Sequence, residues 1–170
     1  MKDSNASKSK ERASYARIRD ELSDKLFVQI VEKIGVEKRY LDPDYSAKKL
    51  ATDLHTNPRY ISVVVGLHTG DNYNALVNGY RLRDACRMLR SPRYSEYSIE
   101  EIGLMCGFSS RQAFYLAFHR EREVTPKQYR MDENVEQWEE EKDWSPPTRS
   151  GDNRTAGPSR MQLVRTVYDQ

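Results

Sequence analysis

No apolar run in this sequence approaches the ~20 residues a membrane-spanning helix needs. The N-terminus, MKDSNASKSKER, is basic but has no apolar stretch behind it, so no secretory signal is read there. Cysteine is scarce: the two present, Cys86 and Cys106, both fall inside helical patterns and form no CxxC pair. That usage reads as reduced core thiols in a cytoplasmic protein. Histidine is as sparse, and His55, His68 and His119 are spread over three segments. Zinc sites show paired, closely spaced ligands, so no metal site is read. The acidic run Glu136–Asp143 brings carboxylates together only as any charged helix does. With no catalytic constellation in view, the chain is not expected to be an enzyme, and no cofactor is expected.

Strong net charge is missing too, but the total of +2 over 170 residues conceals a pattern. Met1–Arg19 carries +4, Asp20–Tyr45 −3, Ser46–Arg130 +5, Met131–Trp144 −6 and Ser145–Gln170 +2. The central excess, thirteen basic against eight acidic residues, suits a polyanionic partner. At 37% hydrophobic and 32% charged residues, any core is modest, enough for one domain or two very small ones.

What the chain does have is helical periodicity. Leu22, Leu26, Phe27, Ile30, Val31 and Ile34 recur at spacings of three and four, with Gly35 placed to end that helix. Pro43 forces an extended or turn segment before it. Ser46 then caps a helix with Ala47, Leu50, Ala51 and Leu54 inward. His55-Thr56-Asn57 makes a turn, and Asn57 caps a helix opened by Pro58 and buried along Tyr60, Ile61, Val64 and Val65. Tyr73, Leu76, Val77, Tyr80, Ala85, Met88 and Leu89 predict one long amphipathic helix, stopped at Ser91-Pro92-Arg93. Ser98 and Glu101 spell a capping box. Ile99, Ile102 and Met105 or Cys106 face inward after it, Gly103 marks a close approach, and Gly107 is the turn. Phe108 plugs the core, and Ser109 or Ser110 caps a helix buried along Phe114, Ala117 and Phe118. Thr125-Pro126 opens a last helix through Tyr129, extending toward Trp138.

The expected fold class is all-α: two helix-turn-helix subdomains, homeodomain-like, joined by a long connecting helix. The expected organisation is a basic disordered arm over 1–19 and a helical domain over 20–130. Within it the first motif lies at about 46–68, the connecting helix at about 72–90 and the second motif at about 98–122. An acidic helical extension follows over 131–144, then a disordered tail over 145–170 rich in Pro, Gly, Ser and Asn. The two motifs align on each other. Ser46, Leu50 and Ala51 match Ser98, Ile102 and Gly103 at an offset of 52, and Arg59, Ile61, Val63 and Val65 match Gln112, Phe114, Leu116 and Phe118 at 53. The second turn is one residue longer. Such a unit either carries DNA recognition on its second helix or is simply a packed helical hairpin.

The blocks SIEEIGLMCGF, SSRQAFYLAFHRE and VTPKQYR, with NYNALVNGYRLRDACRML before them, resemble the AraC/XylS family of bacterial transcription regulators. The likeness covers about residues 20–130. Gly103 stands where the family usually has alanine, a tolerable swap. Glu123 replaces the glycine before Thr-Pro, so the turn there is expected to be built differently, and His55 replaces a turn glycine. Val63 stands where the family often has arginine.

By resemblance, the outward positions are Arg59, Ser62 and Val63 on the first recognition helix and Arg111, Gln112, Tyr115 and Leu116 on the second. Arginine can make two parallel bonds to guanine and glutamine to adenine, whereas Val63 and Leu116 can only touch a thymine methyl or fill space. Phosphate contacts are expected at the helix starts near Ser46, Asn57 and Ser110, and from Lys48, Lys49, His119 and Arg120. The implied function is a sequence-specific transcriptional regulator that binds double-stranded DNA as a monomer, with RNA polymerase a candidate partner and no membrane role. The rival expectation is a protein-binding adaptor or co-regulator whose first motif has degenerated and whose DNA binding is weak.

Overall fold

The computed structural model describes residues 19–132, and every regular element among them is helical. The basic arm up to residue 18, the acidic extension from residue 133 and the C-terminal tail lie outside the described residues. The first helix, α1, occupies residues 19–31 and runs on as a π turn over Glu32–Val36. Leu26, Phe27, Ile30, Val31 and Ile34 are buried along it as the spacing predicts. Leu22 is not, at 54% exposure. Ser23 takes the inward place instead, with its hydroxyl 3.2 Å from the His68 ring, which stacks on Phe27 at 4.4 Å. Gly35 does not stop this helix. It lies inside the π turn against the Tyr80 ring, and the chain turns only at Lys38, which adopts φ 55°.

A short 3-10 turn, Arg39–Leu41, leads into α2 (Ala47–Asp53) and α3 (Pro58–Thr69). Ser46 and Asn57 cap these helices, each side chain accepting a backbone N–H three residues on. His55 holds the turn between them at φ 51°. The connecting helix α4 (Tyr73–Arg90) is capped by Asn72 and spans about 27 Å at 1.5 Å per residue. A 3-10 turn at Pro92–Tyr94 stops it. Then come α5 (Ile99–Met105), α6 (Arg111–Arg122) and α7 (Pro126–Met131). Of the two inward options at the end of α5, Cys106 is buried and Met105 is exposed. Burial pushes the Cys106 thiol up to about 12, which suits a core group rather than a nucleophile.

α4 belongs to two cores at once. Its first half gives Tyr73, Leu76, Val77 and Tyr80 to a core with α1, α2 and α3. Its second half gives Leu82, Ala85, Cys86, Met88 and Leu89 to a core built on Ile102, Phe108, Phe114, Phe118 and Tyr129. Each two-helix motif is too small to bury its own apolar face, so each uses half of α4 as its third wall.

The halves are also braced directly. Tyr40 donates from its hydroxyl to Asp84 Oδ2 at 2.5 Å, and Arg87 donates to Oδ1 of the same carboxylate at 2.8 Å. Burial and the Asp84 hydrogen bond hold the Tyr40 phenol above the usual tyrosine range. Arg81 donates to the carbonyls of Tyr40 at 2.7 Å and Asp42 at 3.0 Å, while its guanidinium lies 5.6 Å from the centre of the Phe108 ring. Gly107, in the turn of the second motif, has φ 89° and sits where a Cβ would strike the backbone of Tyr40 and Leu41. Only glycine meets both demands. Gly107→Ala is expected to cost more than about 2 kcal/mol, from the left-handed backbone and the blocked Cβ together. Gly66→Ala, whose Cβ would meet nothing nearer than 3.8 Å, is expected to be neutral or stabilising. Urea midpoints of the two variants check both.

Candidate nucleic-acid interface

Both second helices, α3 and α6, have twelve residues and carry an Asn or Ser cap. Each buries one stripe and leaves the opposite stripe open. In α3 the stripe is Ile61, Val64, Val65 and Thr69; in α6 it is Phe114, Ala117 and Phe118. Arg59, Ser62 and Val63 therefore project from α3, and Arg111, Gln112 and Leu116 from α6, all exposed. Tyr115 differs: it is half-buried, edge-on to Phe114 with ring centres 6.0 Å apart. The Ser62 hydroxyl donates back to the Pro58 carbonyl at 3.1 Å.

The residues read as phosphate contacts are exposed as well: Ser46, Lys48 and Lys49 around α2, Asn57 and Ser110 at the caps, His119 and Arg120 at the end of α6. Four of these already have partners, three of them as helix caps. The side-chain oxygens of Ser46, Asn57 and Ser110 accept from Lys49, Tyr60 and Ala113. Their helices therefore face an incoming anion with the remaining first-turn amides rather than with these side chains. Lys49 lies 3.7 Å from Asp42, an exposed pair that competes only weakly with a phosphate.

Two features of the second motif were not legible in the sequence. Glu100 Oε1 lies 2.6 Å from Arg111 Nη1, and the Arg111 guanidinium sits 5.2 Å from the centre of the Tyr115 ring. The turn before Thr125-Pro126 also keeps the shape that glycine gives it. Glu123 simply adopts φ 61°, contrary to the expectation of a different turn. As the C-cap of α6 it places its N–H on the His119 carbonyl, which offsets part of the strain. Gly103 tolerates its neighbour less easily than expected, because an added Cβ would come 2.7 Å from Phe114 Cδ1.

The capping box at Ser98 forms in full. Glu101 accepts from the Ser98 N–H at 2.8 Å, and the Ser98 hydroxyl accepts from the Glu101 N–H at 3.2 Å. The bond from the Ser98 N–H, with the Ser98 hydroxyl beside it, holds the Glu101 carboxyl below its ordinary value of 4.5. A lowered folded value means the stabilisation is complete above the unfolded value and is lost as pH falls through the folded one. Glu101→Gln keeps the capping geometry without titrating. The stability of the parent relative to this variant is therefore expected to fall as pH drops from about 6 to about 3, read by urea melts across that range.

Among the described residues, no group of three or more His, Cys, Asp or Glu is placed to hold a metal, and no helix is long and apolar enough to cross a membrane. The candidate site is thus a pair of exposed helix faces, that of α6 led by Arg111 and Gln112 and that of α3 by Arg59 alone.

Comparison with known proteins gives the same picture. A family profile described as a helix-turn-helix domain matches residues 50–132. The regulatory protein PocR of Salmonella typhimurium is 30% identical over 95 residues, which is 56% of this chain and 30% of PocR. The xylose operon regulatory protein of Escherichia coli is 39% identical over 61 residues, 36% of this chain and 15% of that protein. The chain therefore spans under a third of the length of these two regulators. Among solved structures, the C-terminal domain of the two-component response regulator yesN from Fusobacterium nucleatum superposes with a TM-score of 0.53 at 25% identity. That match covers 59% of this chain and 94% of the yesN domain.

Proposed function

We propose that the chain, through residues 50–132, is a member of the AraC/XylS family of helix-turn-helix DNA-binding transcription regulators and reads operator sequence with both motifs, α3 and α6 entering adjacent major grooves. The observation that supports this most is the sharing of α4. One helix serves as the wall of both cores, so the two exposed recognition faces are held at a fixed separation. Two readers in one chain can span one helical turn of DNA, ~34 Å, without a second copy, so binding is monomeric. If the separation that α4 imposes differs from one helical turn, the duplex bends to meet both faces, which adds a shape-dependent contribution to specificity.

In this reading Arg111 and Gln112 read guanine and adenine edges from the first turn of α6, and Leu116 meets a thymine methyl. Arg59 is the main reader on α3, with Ser62 and Val63 filling the groove beside it. Tyr115 supports Arg111 from below. Lys48, Lys49, His119, Arg120 and the helix starts at Ser46, Asn57 and Ser110 contact phosphates and set the register. RNA polymerase is the partner such a regulator would address.

A second reading keeps DNA binding for α6 alone and gives α3 to a protein partner. It is favoured by two apolar residues one turn apart on the open face of α3, Val63 at 47% and Leu67 at 52% exposure.

Arg111→Ala is expected to cost ~1–3 kcal/mol on the preferred duplex and to relax preference at one base pair. Equal losses on preferred and random duplexes in a titration would make it a phosphate contact only. Val63→Arg separates the two readings. If α3 lies in a groove, the new cation strengthens DNA binding and steepens its salt dependence by about one counterion. If α3 is a protein-docking face, DNA affinity stays as it was.

A further inference from the structure

The second motif grips its leading arginine in a way the first cannot. Glu100, in the first turn of α5, lies 2.6 Å from Arg111 Nη1 at the start of α6. The Tyr115 ring, 5.2 Å from the guanidinium carbon, supplies a second surface, and that ring leans on buried Phe114. The close approach of Gly103 to Phe114 makes this possible. Glu100 and Arg111 each lie three residues before those two contact positions, nearly one helical turn, so the same approach brings them side by side. By the offsets that align the motifs, the first motif has Lys48, Pro58 and Ser62 at these places. It has no carboxylate, no guanidinium and no aromatic ring there. The grip is not a by-product of the repeated hairpin.

We propose that Glu100 is a specificity-determining positioning residue, which fixes the plane and reach of the Arg111 guanidinium so that its remaining donors meet a guanine edge in a single register. The inference rests on the reading of Arg111 as a base contact. Glu100 acts on base choice through that side chain and touches no base itself. Two parallel bonds to a base edge require the guanidinium to be coplanar with the base, which a long flexible side chain seldom satisfies unaided. One ion pair at Nη1 leaves Nη2 and Nε to donate. The carboxylate also repels the phosphate backbone, and it does so on every sequence alike. Removing its charge therefore has two effects of opposite sign: general affinity rises and discrimination falls.

The test uses the full chain with Glu100→Gln, Arg111→Ala and the double variant. Each is titrated against a duplex selected from a random pool, against that duplex changed at the base pair where Arg111→Ala relaxes preference, and against random duplex. Glu100→Gln is expected to raise affinity for random duplex. It should lower the ratio between the selected and changed duplexes about two- to fivefold, the range for an exposed ion pair. In the Arg111→Ala background it should leave that ratio unmoved. A structural defect would weaken all duplexes in parallel and leave the ratio intact. If Glu100→Gln spares the ratio while Arg111→Ala abolishes it, the positioning role is wrong and base reading stands. If Arg111→Ala relaxes no base pair, the base-contact reading itself is wrong and the positioning role goes with it.

Discussion

A carboxylate in the middle of a buried helix face is costly unless its charge is met, and Asp84 of α4 is such a group. Its two oxygens are met from different places: Arg87 on its own helix and Tyr40 from the loop before the first motif. The arrangement ties that loop to the centre of α4 at the point where one core ends and the other begins. Arg81 repeats the tie through backbone carbonyls, and the seat of Gly107 against Tyr40 and Leu41 brings the second motif's turn to the same spot. The hydrophobic effect builds each half; this polar and steric junction sets the angle between them. Burial alone is non-directional and would allow the motifs to slide along α4.

This division of labour matters for the proposed reading of two grooves. Phosphate contacts supply affinity in proportion to charge, and the excess of five positive charges over Ser46–Arg130 is moderate. Discrimination must come from where a few donors sit relative to base edges, so a misplacement of one recognition helix would lose its contribution entirely. The two exposed helix faces are unevenly equipped for that work. α6 offers Arg111 and Gln112 in its first turn, with Arg111 held by Glu100 and Tyr115. α3 offers one arginine, Arg59, next to small and apolar side chains.

Much of this was legible in the residues, because helix starts and stops are chemically explicit here. Ser46, Asn57, Ser98 and Thr125 cap where expected, Ser110 is the cap of the two serines offered, and the buried stripes of α2 to α6 follow the predicted period, with Ala47, Leu54, Tyr60 and Ile99 only half-buried. The misses have a common cause. Leu22 fits its helix period but is exposed, because Ser23 meets His68, a contact across 45 residues. Gly35 looks like a stop signal, but the ring of Tyr80 against it is tertiary information. Glu123 takes a glycine's conformation, a strain that propensity argues against and packing tolerates. Glu100 reads as an ordinary first-turn acid suited to the helix dipole, and nothing local reveals that its partner lies eleven residues on, beyond a turn. Local chemistry marks the elements; the junction and the grip on Arg111 arise only when elements meet.

The central claim is that one rigid helix fixes two reading heads at one separation. Selection of bound duplexes from a random pool of about 30 base pairs, at near-physiological salt, tests it most directly. The account predicts two conserved blocks roughly ten base pairs apart at a single spacing, with the stronger block belonging to α6. Two blocks at variable spacing, or a single block, would contradict it.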